Sequence, residues 1–368
     1  MPTDGGCRPI MSLSYFTSYQ DSRRLLGRGA DRAGYVLLLA FLLLLPFGAS
    51  EFVIGETTYV LIMCIASLGL MILNGYTGQI SLGHAAFLGI GAYAHTWLIG
   101  HGVPLILSMA GATLLAGAVG LMLGFSAIRV SGLYLAMVTL AFSSLLMRIA
   151  GAWTLVTGGH TGTTVPEPQI AGQAIGGLLP FYFFCLVVLL AVLLATVNLL
   201  RGQQGRSFIA VRESEAGAFS LGINVTATKI LAFALSAAVT GLAGTLLAHQ
   251  TKYLTPEMFD MMVSFQLVLM VVIGGLGSIR GAILGAVLIG MLPSAISAMK
   301  SFLPDRLARQ SGLDILVFGL VLAIFVLFEP KGLAGRWDNL RSAIESFPYT
   351  RKSAFKRAKT YMQSERYR

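Results

Sequence analysis

Between Asn74 and Phe87 the sequence reads Asn-Gly-Tyr-Thr-Gly-Gln-Ile-Ser-Leu-Gly-His-Ala-Ala-Phe, a cluster of amide, hydroxyl and imidazole groups set between two long apolar runs. Gln79, Ser81 and His84 offer donors and acceptors to a polar solute, and Asn74 can secure a break in the backbone. Polar and glycine positions this dense cannot face hydrocarbon, because irregular backbone at membrane depth survives only where protein buries it or a cavity solvates it. The segment therefore predicts a broken helix beside a solute path, with exposed amides at the start of the next half-helix favouring a carboxylate. His84 taken singly also fits a packed, hydrogen-bonded residue, so the expectation rests on the segment more than on one side chain.

Three further clusters stand out. Thr157-Gly158-Gly159-His160-Thr161-Gly162 has glycines that permit a tight turn exposing backbone groups. It suits either a plain loop or a contact with a solute or binding protein. Gly274-Gly275-Leu276-Gly277-Ser278, continuing to Gly281 and Gly285, lets helices approach closely or one unwind. From Ser207 to Leu221, Phe208, Val211, Phe219 and Leu221 alternate with Arg206, Arg212, Glu213 and Glu215, which predicts one short amphipathic helix stopped by Gly222.

The elements that must hold these clusters are membrane spans. Charged residues are 11% of the chain, 55% is hydrophobic and the mean hydropathy is +0.77. A hydrocarbon core needs roughly 20 apolar residues per helix, and strand-type alternation is missing, so the fold class is an all-α polytopic membrane protein. Ten spans are expected, at about 35–54, 57–75, 83–100, 104–126, 131–150, 178–199, 228–250, 263–279, 281–299 and 312–328, with broken or re-entrant segments at the glycine-rich joins. The first is expected to be retained, since 1–34 is too long and polar for the charged region of a cleaved signal. Cys7, Cys64 and Cys185 are scattered singly, without metal-type spacing.

Basic residues orient the chain. Five precede the first span, four lie in Arg201–Lys229 and ten follow Phe328. An even number of crossings places all three groups on the cytoplasmic side, with both termini there. Lys300, Arg306 and Arg309 run against the pattern. The organisation is thus a tail over 1–34, a membrane domain over 35–330 with a cytoplasmic loop at 200–228 and an outer loop at 151–178, and a basic tail over 331–368. In that tail Arg351, Lys352, Lys356, Arg357 and Lys359 alternate with Phe347, Tyr349, Phe355 and Tyr361. Anionic lipid beside the membrane accounts for that pattern more simply than nucleic acid.

The clusters together resemble permeases of ABC importers of the branched-chain amino acid type, the M-type subunit above all. The 74–87 run is similar to their GYxGQxSLGHAAF signature, 157–162 to TGGxxG, 274–278 to GGxGS, and Pro330-Lys331-Gly332-Leu333 to a terminal PxGL element. Gly205-Arg206, Arg212-Glu213, Glu215-Ala216 and Leu221-Gly222-Ile223-Asn224 resemble the coupling loop that docks on a separate ATPase subunit.

The resemblance implies a non-catalytic subunit of the bacterial inner membrane, paired with a second, H-type permease, two ATPases and a periplasmic solute-binding protein. It assigns Asn74, Gln79, Ser81, His84, Thr157, Gly158 and Gly159 to the solute path. Arg212, Glu213, Glu215, Ala216 and Gly222 fall to ATPase coupling, and Gly274, Gly275, Gly277 and Ser278 to helix break and packing. No metal is expected and no cofactor on this chain. No lysine follows a glycine, so a phosphate-cradling GxxxxGK[ST] loop is absent and ATP would be spent on the partners. Related permeases for urea or short amides share these motifs and remain an alternative. A secondary transporter is disfavoured by the absence of a carboxylate pair inside the spans, and a channel gives the amphipathic loop helix no purpose.

Overall fold

A computed structural model describes residues 29–300, apart from 131, 171, 172 and 175, together with 319, 320, 323 and 332–337. Most of the tail at 1–34, nearly all of the expected span 312–328 and most of the basic tail lie outside the described residues. Where described, the chain is a bundle of apolar helices, seven of them long and apolar enough to cross a membrane.

The helices are α1 (Gly29–Gly48), α2 (Glu51–Leu70), α3 (His84–Gly100), α4 (Leu105–Arg129), α5 (Leu133–Ala152) and α6 (Leu178–Arg201). They continue with α7 (Gln203–Glu213), α8 (Glu215–Ser220), α9 (Val225–Thr251), α10 (Met261–Gly274) and α11 (Ile279–Lys300). A helix therefore stands at each of the first nine expected spans. The first boundary is shifted: α1 stops before Ser50, not at 54, and α2 begins at Glu51 and runs on through a π-helical turn, Met71–Thr77.

Burial follows composition. The Glu51–Thr77 span is apolar all round, and most of it is buried at the centre of the bundle, as such a helix requires. α9 packs beside it against α3 and α4. Its approach to α4 is made through small residues: Gly117 meets Ala234 and Ala238, Gly120 meets Ala237, and Gly124 meets Ile230 and Phe233. Close backbones give van der Waals contact where lipid supplies no hydrophobic drive. α4, α5 and α6 keep large outward apolar faces, including Leu114, Met122, Leu133, Met137 and Val187.

The helix ends define two faces. One carries Thr77–Gly83, α7, α8 and the α10–α11 join. The other carries the α5–α6 loop, where β1 (Thr163–Thr164) pairs antiparallel with β4 (Tyr253–Leu254) and β2 (Gln169–Ile170) with β3 (Gln173–Ala174).

The single amphipathic helix expected over Ser207–Leu221 is corrected to two, α7 and α8. Ser214 adopts an extended backbone between them, and its side chain accepts the Gly217 amide as N-cap of α8, the arrangement that serine favours over a helix interior. The break divides the apolar positions. Phe208 and Val211 are buried, whereas Phe219 and Leu221 are 76% and 78% exposed.

Candidate functional site

The broken segment closes on itself. After the π-helical turn, Gly78 turns left-handed (φ 70°), a conformation natural to glycine. Asn74 Oδ1 then accepts the Ser81 amide at 3.1 Å, bridging the gap as expected of it. Leu82 N donates to Thr139 Oγ1 of α5 and Ala85 N to Ser264 Oγ of α10, both at 3.0 Å. These amides, expected to be exposed for a carboxylate, are satisfied by the protein's own hydroxyls.

His84 is fully buried and bonded at both ring nitrogens. Ser236 Oγ of α9 donates to the Gly69 carbonyl at 2.7 Å, so it accepts from His84 Nε2 at 2.7 Å. Nδ1 then accepts from Ser81 Oγ at 2.9 Å. The arrangement fixes one tautomer and ties α2, α3 and α9 at one point. Gln79 differs. Its Nε2 donates to Thr77 Oγ1 at 3.0 Å, while its buried Oε1 has no partner among the described residues. Of the four polar residues singled out in this segment, Gln79 alone has a buried side-chain acceptor left over.

On the same face, widely separated clusters meet. The Arg212 guanidinium donates from Nη1 to the Gly75 carbonyl at 2.7 Å. That carbonyl lies in the last turn of a helix, where carbonyls lack intrahelical partners and the dipole favours a cation. A side chain at Gly75 would place its Cβ 2.7 Å from the Gly277 nitrogen, and one at Gly277 would place it 2.7 Å from Arg212 Nη1. Gly78 lies beneath the Arg212 stem, and Gly332 packs on Gly274 and Gly275. Gly275 and Gly277 both have positive φ, and Ser278 Oγ accepts the Gly281 amide. The 74–87 and 274–278 clusters, Gly332 and the charged loop thus converge on one junction.

The other loop residues separate. Glu215 bonds Lys229 Nζ of α9 at 2.7 Å, the lysine side chain being 8% exposed and the glutamate 54%. Glu213, Ala216 and Gly222 (φ 79°) are exposed beside Phe219 and Leu221.

Thr157, Gly158 and Gly159 form a knitted turn on the opposite face. Thr157 is buried, with its Oγ1 against the Ala150 and Trp153 carbonyls and accepting the Gly159 amide. The following residues pair with the α9–α10 connection. Tyr253 OH donates to the Thr161 carbonyl, and His160 Nδ1 lies 3.1 Å from Glu257 Oε1 at the surface. The Glu257 carboxyl is held below its ordinary range, first by its own backbone amide and then by His160.

Two features escaped the sequence reading. Beneath this face, α3, α4 and α5 surround an almost wholly apolar cavity of about 620 Å³, lined by Tyr93, Trp97, Leu115, Ala150 and Phe259 among others. Nearby, Ser108 donates to the Leu105 carbonyl and accepts from His95 Nδ1, and His95 Nε2 meets His249 Nε2 at 2.8 Å. His249 Nδ1 is left without a partner among the described residues. No local spacing signals a pair 154 residues apart.

Comparison with known proteins bears on the family. A family model described as branched-chain amino acid transport system / permease component matches residues 52–327. The chain is 33% identical over 325 residues to the high-affinity branched-chain amino acid transport system permease protein LivM of Escherichia coli K12, covering 81% of this chain and 73% of that one. It is 25% identical over 321 residues to a probable branched-chain amino acid transport permease protein LivH of Methanocaldococcus jannaschii, covering 83% and 99%. It is 30% identical over 151 residues to LivH of E. coli K12, covering 41% and 46%. No solved structure matches.

Proposed function

The chain belongs to the family of branched-chain amino acid transport permease components, and from that premise we propose that it is the M-type half of the membrane core of an ATP-driven importer. The observation that carries this reading is the exposed pair Phe219 and Leu221, on and just after a short helix whose start is tied to the bundle by Arg212 and Glu215. Apolar side chains presented by a rigid, charged loop suit a groove on a separate protein, and ATPase subunits are that partner here. Glu213, Ala216 and Gly222 complete the docking edge. A second, H-type permease covers part of the apolar face left by α4, α5 and α6, and a solute-binding protein delivers at the 157–162 face.

The cytoplasmic side is the one carrying α7 and α8. Arg129, Arg201, Arg206, Arg212, Lys229 and Arg280 lie at helix ends on that face, against Arg148, Lys252 and Lys300 toward the other, the excess inside that retained basic residues require. Ten crossings are supported by Gly332. It packs on Gly275 at the loop face, although the 22-residue α11 starts from that face and runs away from it, so the chain has to return. Both termini then lie in the cytoplasm of a bacterium, with the basic tail against anionic lipid.

The apolar cavity favours an aliphatic side chain over urea, which would find almost nothing there to bond. Its volume lies within the roughly 300–1,000 Å³ of small-molecule sites. Gln79, with its spare acceptor, is the path residue nearest the inner exit. Extraction of the chain in mild detergent tests the assembly: a second permease and two ATPases should accompany it. Isolation alone, with uptake driven by an ion gradient, would overturn the reading.

A further inference from the structure

We infer that Arg212 is a strut, through which movement of the cytoplasmic loop reaches both broken helices, and that it does not dock the ATPase. The inference rests on the importer reading above. Arg212 closes α7, two residues before the Ser214 break and the exposed Phe219–Leu221 edge. The residue as a whole is exposed, but its guanidinium reaches the Gly75 carbonyl at 2.7 Å, with Gly78 under its stem and Gly277 beside Nη1. A larger residue at any of the three would meet the arginine or the facing backbone. The glycines thus make the slot that the arginine occupies.

Gly75 sits in a π-helical turn, an irregular ladder of a kind that is frequent at functional sites. The next residue upstream, Asn74, holds Ser81, which holds His84, which holds Ser236 on α9. The loop reaches α9 by a second route, through Glu215 and Lys229. A load on Phe219 and Leu221 therefore has two rigid exits. Only the Arg212 exit leads to the break between α2 and α3 and to the α10–α11 join. A multi-donor planar cation suits that task better than an ammonium, because it can hold one carbonyl while packing flat against two glycines.

The test uses the complete assembly in proteoliposomes, with binding protein and leucine, and reads solute moved per ATP hydrolysed. Arg212→Ala should keep both ATPases bound and hydrolysing while solute per ATP falls about tenfold, within the usual range of coupling between sites. Arg212→Lys should fall between the two, guarding against a variant that fails to assemble. Phe219→Ala with Leu221→Ala should instead shed the ATPases. Unchanged solute per ATP in both Arg212 variants, or loss of the ATPases from either of them, would overturn the strut. A wild-type chain that captured no ATPase would remove the importer reading and the strut with it, whereas failure of the Arg212 variants alone leaves that reading standing.

Discussion

At the scale of single residues, two neighbours in one motif differ in what they do. His84 is bonded at both nitrogens, and His84→Ala would strand Ser81 and Ser236 and leave a void between three helices. A loss of about 2–4 kcal/mol follows, to be read as a lower unfolding temperature in detergent. Gln79→Met removes one hydrogen bond and an unpartnered buried acceptor. Stability should stay within about 1 kcal/mol of wild type while the uptake rate changes, which thermal unfolding and flux measured together will separate. Both residues were visible in the sequence as polar groups in an apolar setting. Their difference was not, since Ser236 lies 152 residues from His84. At the opposite face, Glu257 has a folded value below its ordinary one. Its contribution is therefore full above the ordinary carboxylate range and lost as pH falls through the folded value. Protection of the 157–164 loop from protease should weaken on acidification below the ordinary carboxylate range in wild type, and show no such acid step in Glu257→Gln.

At the scale of elements, the long apolar runs were legible because membrane length and backbone satisfaction leave a helix little alternative. The break at Ser214 was also written, as serine followed by glutamate, but the alternation of Phe208, Val211, Phe219 and Leu221 suggested one continuous face. Capping chemistry won over that pattern, and the split is what turns Phe219 and Leu221 outward. The α10–α11 join shows the reverse limit. Its glycines predicted close approach, but not that Gly75, Gly277 and Gly332 would be brought together at one junction, because a glycine does not name its neighbour. Gly277→Val should be costly, since its φ of 79° and the adjoining guanidinium both exclude a branched side chain. A loss on the order of 2 kcal/mol or more is expected, seen as poor recovery of folded protein on size exclusion. Ala94→Phe, by contrast, narrows the apolar cavity and should slow leucine uptake more than alanine uptake, with the assembly intact.

At the scale of the whole molecule, a bundle centred on α2 and α9 holds one face by polar ties and offers its other sides to lipid and partners. The loop face gathers the irregular backbone of α2, α10 and the chain near Gly332, and a charged loop grips the bundle through Arg212 and Glu215. Such a design lets movement on that side alter helices that cross to the cavity on the other. The measurement that decides the account is uptake by proteoliposomes containing this chain, its partner permease, two ATPases and the binding protein. Leucine, isoleucine and valine should accumulate only with ATP and the binding protein present, undisturbed by a large excess of urea. Uptake that persists without ATP, or that carries urea in place of the aliphatic amino acids, would contradict it.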